Sequence, residues 1–290
     1  VVLEGIKLFT NCVLPSIFPY LVTVSIINKL NLNCVFGKLF SPLSKKVFNT
    51  NGNVLTAFII SLISGYPIGA KIISDLRKDN LISSAESVRG AILCSTSSPA
   101  FLIATVGRNF YKNTKIGVII LLSQIISSII LGIIFSFYKR KEKATSIVLK
   151  PQKYYNVINE SIEKSVFSIL TIGGTITIFF LLSVLLYELK LLSPFIFVFE
   201  KVFKSETLAK GLSIGILECT SGLSILSTNT NVISISLASL LCGFGGLSII
   251  MQSITFLKSA KIKTAPFLIS KIISAVLNFI FTYFFCLIFL

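Results

Sequence analysis

Residues 52–74 read GNVLTAFIISLISGYPIGAKIIS. An apolar run long enough to cross a bilayer, which takes about 20 residues, is interrupted at its centre by Ser64-Gly65-Tyr66-Pro67-Ile68-Gly69. Proline removes a helix hydrogen bond and glycine tolerates turns, so the run is predicted to form two half-helices. Open backbone at membrane depth is tolerated only where protein buries it or where it lines a cavity. The stretch therefore predicts a broken helix inside a larger helical membrane assembly.

The rest of the chain agrees. Of 290 residues 53% are hydrophobic and only 13% charged, with a mean hydropathy of +0.89. A soluble domain averages about 25% charged residues. Long apolar runs recur at 116–138, 169–187, 232–250 and 266–290. They lack alternation with a period of two, which selects helices over a barrel. The net charge of +16 comes from short clusters between these runs, such as Lys139-Arg140-Lys141. That pattern is a positive-inside bias and excludes a nucleic-acid footprint. The first apolar stretch holds Pro15 and Pro19 between flanking charges and has no basic leader or small-residue cleavage site, so it is expected to be a spanning helix and not a signal peptide. With no His and no C-x-x-C among six Cys, the sequence excludes a zinc site and a His-based triad. Neither a phosphate loop nor a serine nucleophile elbow is present, so an enzyme is not expected, nor a cofactor or bound metal. The cysteines are expected to be small packing residues.

Landmarks recur in one order at an offset of about 150 residues, a spacing suited to the internal repeats of transporters. Ser41-Pro42 answers to Ser193-Pro194, Ser64-Gly65 to Ser221-Gly222, residues 94–99 to 242–247, and Lys115 to Lys263. The expected organisation is a first membrane repeat at 1–138, a basic cytoplasmic linker at 139–164 and a second repeat at 165–290. Two topologies are open: eight spans, or about six spans plus two broken or re-entrant hairpins, and the second concentrates Lys and Arg better on one side. It also makes the halves antiparallel. The fold class expected is thus an all-α polytopic membrane protein of two inverted repeats, with residues 227–231 outside.

Polar groups inside a membrane are costly and tend to be functional. Four clusters qualify: Ser64 to Lys71, with Gly65, Tyr66, Pro67 and Gly69; Ser95-Thr96-Ser97-Ser98-Pro99 after Cys94; Glu218-Cys219-Thr220-Ser221-Gly222; and Gly245-Gly246-Leu247-Ser248 with Gln252. Half-helix N-termini attract anions, and free carbonyls attract cations. Ser64, Ser97, Ser98, Ser221 and Ser248 are expected to ligate a solute, helped by the backbone of Gly65, Gly222, Gly245 and Gly246. Glu218 and Lys71 are expected to supply coupling or charge balance, and could pair. The alternative is that Gly and Ser only permit close packing, with Glu218 in a structural ion pair. Gly5, Gly173 and Gly174 are read as packing sites, the Phe-rich C-terminus as lipid-facing, and Asp75 to Glu86 as a solvated turn and helix start.

These motifs resemble the YlbJ-like sporulation integral membrane proteins. The resemblance rests on residues 64–71, Leu76-Arg77, residues 94–99 and Gly107, and in the second half on residues 218–222 and 244–249. It covers nearly the whole chain and implies membership of the nucleoside-recognition, or Gate-domain, membrane proteins. By implication the chain acts in an endospore-forming bacterium, in the mother-cell or forespore membrane, and is needed for the spore cortex. A transport-like fold is implied but no substrate. The expected partners are the lipid bilayer, a small solute, a coupling ion, and further copies of the chain or other sporulation membrane proteins. A non-transporting scaffold for spore-envelope assembly is the rival reading.

Overall fold

The computed structural model describes residues 2–30, 32–141, 145 and 156–290. Among them all regular structure is helical. Helix α1 (Val2–Leu8) runs through a π turn at Phe9–Val13 into α2 (Leu14–Lys29). The π turn lies directly before Pro15, where the ring displaces a regular hydrogen bond. The first half continues with α3 (Leu32–Phe48), α4 (Gly52–Ser64), α5 (Ile68–Lys78), α6 (Ser84–Leu93), a π-helix (Ala100–Phe110) and α7 (Thr114–Phe135). The second half holds α8 (Val157–Glu188), α9 (Ser193–Phe203), α10 (Glu206–Leu217), α11 (Cys219–Leu226), α12 (Val232–Phe244), α13 (Gly246–Ser259) and α14 (Ala265–Phe289).

The chain is a polytopic helical membrane protein. Helices α7, α8 and α14, and α12 with α13 as one unit, are long and apolar enough to span a bilayer. Helices α3 and α4 form a fifth such segment, bent by 93°. At 22 residues α7 reaches about 33 Å, matching the hydrocarbon thickness of about 30 Å. The count falls short of six because other apolar runs are cut into pieces: α4, α5, α10 and α11 have 13, 11, 12 and 8 residues. The stretch with Pro15 and Pro19 is helical, but its apolar part, Ile17–Lys29, is shorter than a span. Lipid-facing side chains include Phe284, Leu287, Ile288 and Phe289, all exposed at the end of α14 as expected of a Phe-rich terminus.

Two hydrophobic clusters organise the interior. One joins α4, α5 and α6 to α8 and α13, so it crosses from the first half to the second. The other joins the π-helix and α7 to α10, α11, α12 and α14. Cys34, Cys94, Cys219, Cys242 and Cys286 are buried and form no disulfide among the described residues, while the side chain of Cys12 lies outside the described ones. Gly5 and Gly173 are packing sites: an added Cβ would sit 3.3 Å from Thr177 and 2.6 Å from the Phe9 ring respectively. Gly174 is not, since none of the described residues lies within 4 Å of where its Cβ would stand.

Half of the linker expected at 139–164 lies outside the described residues, and its last part is already helix α8. Its described part is clamped. Glu86 is fully buried and not solvated as expected. Its carboxylate accepts from the N–H groups of Asn51 (2.8 Å), Ser83 (2.8 Å) and Thr145 (3.0 Å) and from Thr145 Oγ1 (2.8 Å). Arg89 donates to the carbonyls of Asn49, Tyr138 and Lys139. Buried charges must be satisfied in this way or shed their charge, so this pair fixes the start of the linker to the ends of α4 and α6.

Candidate functional site

Each of the four polar clusters breaks a helix. Helix α4 ends at Ser64, Gly65 takes φ +77°, and α5 starts at Ile68 after a cis Tyr66–Pro67 bond. A Cβ on Gly65 would lie 2.6 Å from Ser98 N, and one on Gly69 would lie 2.0 Å from Cys94 O. Only glycine therefore lets this break press against the second one, at residues 94–99, between α6 and the π-helix. Thr96 Oγ1 donates to Ser61 O (3.2 Å), and Ser98 Oγ accepts from Phe101 N (3.2 Å) just past Pro99. In the second half α10 and α11 are separated by Glu218 alone, in an extended conformation. Helices α12 and α13 are separated at Gly245 and Gly246, with φ +88° and +70°. A Cβ on Gly246 would lie 3.1 Å from Cys219 N, and one on Gly222 would lie 2.2 Å from Gly215 Cα. The third and fourth breaks are thus pressed together as the first two are.

Three side chains then tie the two pairs to each other. Tyr66 Oη donates to Cys242 O. Gln124 of α7 places Nε2 3.1 Å from Tyr66 Oη, 3.4 Å from Ser97 Oγ and 3.4 Å from Cys242 O. Lys271 of α14 donates to Ser95 Oγ (3.1 Å), and its Nζ lies 4.6 Å from the centre of the Tyr66 ring. A Cβ on Gly245 would stand 3.6 Å from that Nζ. Tyr66, Ser95, Ser97 and Gly245 therefore come together, as members of three of the four breaks. Deeper along α14, Thr282 Oγ1 donates to Ser239 Oγ (2.6 Å) and lies 2.8 Å from Ser123 Oγ, extending a polar seam between α7, α12 and α14.

Other expected residues serve the breaks locally. Ser64 Oγ returns to Ile60 O (2.9 Å), Pro67 precedes α5, and Gln252 Nε2 donates to Ser248 Oγ (3.3 Å). Glu218 does not pair with Lys71. Its carboxylate accepts from Thr220 N (3.1 Å), Ser221 N (2.7 Å) and Ser221 Oγ (2.8 Å), capping α11. An anion is indeed held at a half-helix N-terminus, but it is the chain's own. Lys71 pairs instead with Asp75 one turn on, at 2.5 Å. Gln124 and Lys271 are absent from the residues singled out by sequence. A lysine two turns into an apolar run was a visible signal; nothing local marks Gln124.

Among curated proteins the chain matches the sporulation integral membrane protein YlbJ of Bacillus subtilis (strain 168). The two are 24% identical over 305 residues, which cover 96% of this chain and 74% of that protein. This chain is a homologue of YlbJ. Apart from Leu76, Arg77 and Gly107, the motif residues quoted for the resemblance lie at the helix breaks or directly beside them, and an integral membrane location follows from the spans and from YlbJ alike. No family model matches the chain, and no solved structure matches it.

Proposed function

We propose that the chain, like YlbJ, serves sporulation, and that it binds and passes a small solute where its helix breaks cross, without changing it chemically. Its place is the mother-cell or forespore membrane, and its contribution is to cortex formation. The observation that carries this reading is the meeting of three of the four helix breaks around Tyr66, Gln124 and Lys271, with the fourth packed against Gly246. Interrupted helices with exposed peptide ends are the usual means by which transporters build sites within the bilayer. The order of elements supports two repeats: α10/α11, α12/α13 and α14 follow the sequence of α4/α5, α6/π-helix and α7. In the structure described the crossing is shut, with Gln124 and Lys271 buried, so passage requires the two pairs of breaks to part.

The test is complementation. A spore-forming strain lacking its own copy receives the wild-type gene, Lys271→Met or Tyr66→Leu, with membrane insertion checked by blotting. Loss of heat-resistant spores at normal protein levels is the expected result. Full sporulation by both variants refutes a working crossing and favours the scaffold, for which the Glu86–Arg89 clamp on the linker would be the residue pair that matters.

A further inference from the structure

Lys271 is only 2% exposed, and among the described residues it pairs with no carboxylate. One of its three donors goes to Ser95 Oγ and the Tyr66 ring faces the ammonium, which leaves capacity unused. Buried ammonium groups are expensive unless an anion balances them. The acid of the neighbouring break, Glu218, is committed to the N-terminus of α11. Two further observations place a ligand here. Helix α13 has no side-chain cap among the described residues, and its N-cap, Gly245, stands beside the Lys271 ammonium, so the positive end of its dipole adds to that charge. Gln124 Oε1 is buried without a partner among the described residues, an acceptor standing ready in the same cluster. Tyr66, Ser95 and Ser98 keep part of their surface exposed, so the cluster is not sealed on every side.

The geometry points to an anionic solute: Lys271 binds a carboxylate or phosphate oxygen, while the free carbonyl of Gln124 accepts from a hydroxyl or N–H of the same small molecule. Ser95 Oγ, beside the ammonium at 3.1 Å, donates its hydroxyl proton to the same anion. This rests on the crossing being the solute site and names the class of solute it takes. Lys is suited to the task as a compact point charge.

The chain, purified in detergent, is heated with sodium phosphate or sodium lactate, against sodium chloride at equal ionic strength. A rise of the unfolding temperature with concentration is expected for phosphate or lactate over chloride. Lys271→Met and Lys271→Gln should weaken the apparent affinity at least about 30-fold, the loss for truncating one side of a buried charge pair. Lys271→Arg should keep it. Should both neutral variants fail to fold, Lys271→Arg and Ser95→Ala decide: the first must retain the shift and the second must reduce it. Equal shifts in wild type and neutral variants, or no shift with either probe, overturn the anionic class. If that happens while Lys271→Met still loses spores, the crossing stands as a solute site and only the anion falls. If Lys271→Met and Tyr66→Leu both sporulate normally, the crossing itself falls.

Discussion

Replacing Glu218 separates its structural role from a functional one. In the fold its carboxylate, 6% exposed, closes the first turn of α11 with three hydrogen bonds, two from backbone N–H groups. A cap of this kind contributes about 1 kcal/mol, and the charge at the helix N-terminus adds about 0.3–1 kcal/mol, more when partly buried. Glu218→Ala removes both and leaves two N–H groups without their partner. Thr220 and Ser221 are half-buried, so water recovers part of the loss. The net effect should be a destabilisation of about 2–3 kcal/mol. Glu218→Gln keeps one carbonyl oxygen to accept an N–H and loses the charge, so it should lie between, at about 1–2 kcal/mol. The assay is SDS-induced unfolding in mixed micelles, followed by circular dichroism, with sporulation counted in parallel. Wild type, Gln and Ala should fall in that order of stability, and sporulation should track stability. A Gln variant as stable as wild type would contradict the capping role. A stable Gln variant with no spores would assign the carboxylate to coupling.

Gly222→Val should disrupt the α10–α11 hairpin, because even a Cβ would meet Gly215 Cα at 2.2 Å; the expected loss is about 3 kcal/mol or more, or failure to accumulate in the membrane. Glu86→Ala leaves Asn51 N and Thr145 without their acceptor, so the linker start should detach; limited proteolysis should cut near residues 141–145 several-fold faster while the spans stay intact. The thiols of Cys94, Cys219 and Cys242 are buried, so a water-soluble maleimide should label them slowly in the shut form, and Lys271→Met should not accelerate it unless the variant unpacks the crossing.

Much of this was legible before any coordinates. Proline and glycine within apolar runs marked the breaks at 64–69 and 218–222, because no other chemistry explains helix-breaking residues at that depth. Ser83-x-x-Glu86 has the spacing of a capping box, which the reading of residues 75–86 as a solvated turn and helix start passed over and the structure forms; the burial of Glu86 depends on Thr145, about 60 residues on, and has no local sign. Glu218 misled for a related reason: Glu is seldom a cap, so its charge suggested a distant partner, whereas the adjacent Thr220 and Ser221 supply the donors. Lys71 and Asp75 stand at i and i+4 and could have been paired from spacing alone. Gln124 and Lys271 lie in runs that are apolar on every side, where periodicity cannot tell which face meets a neighbour. Their roles exist only in the tertiary arrangement of α7 and α14 against the breaks.

The meeting of the two halves at one polar crossing is tested most directly by a double-mutant cycle between Tyr66 and Lys271. The unfolding free energies of wild type, Tyr66→Leu, Lys271→Met and the double variant are compared in mixed micelles. A desolvated cation–π contact between the halves predicts a coupling of about 1–2 kcal/mol. Additivity within about 0.3–0.5 kcal/mol, the behaviour of independent sites, would contradict it.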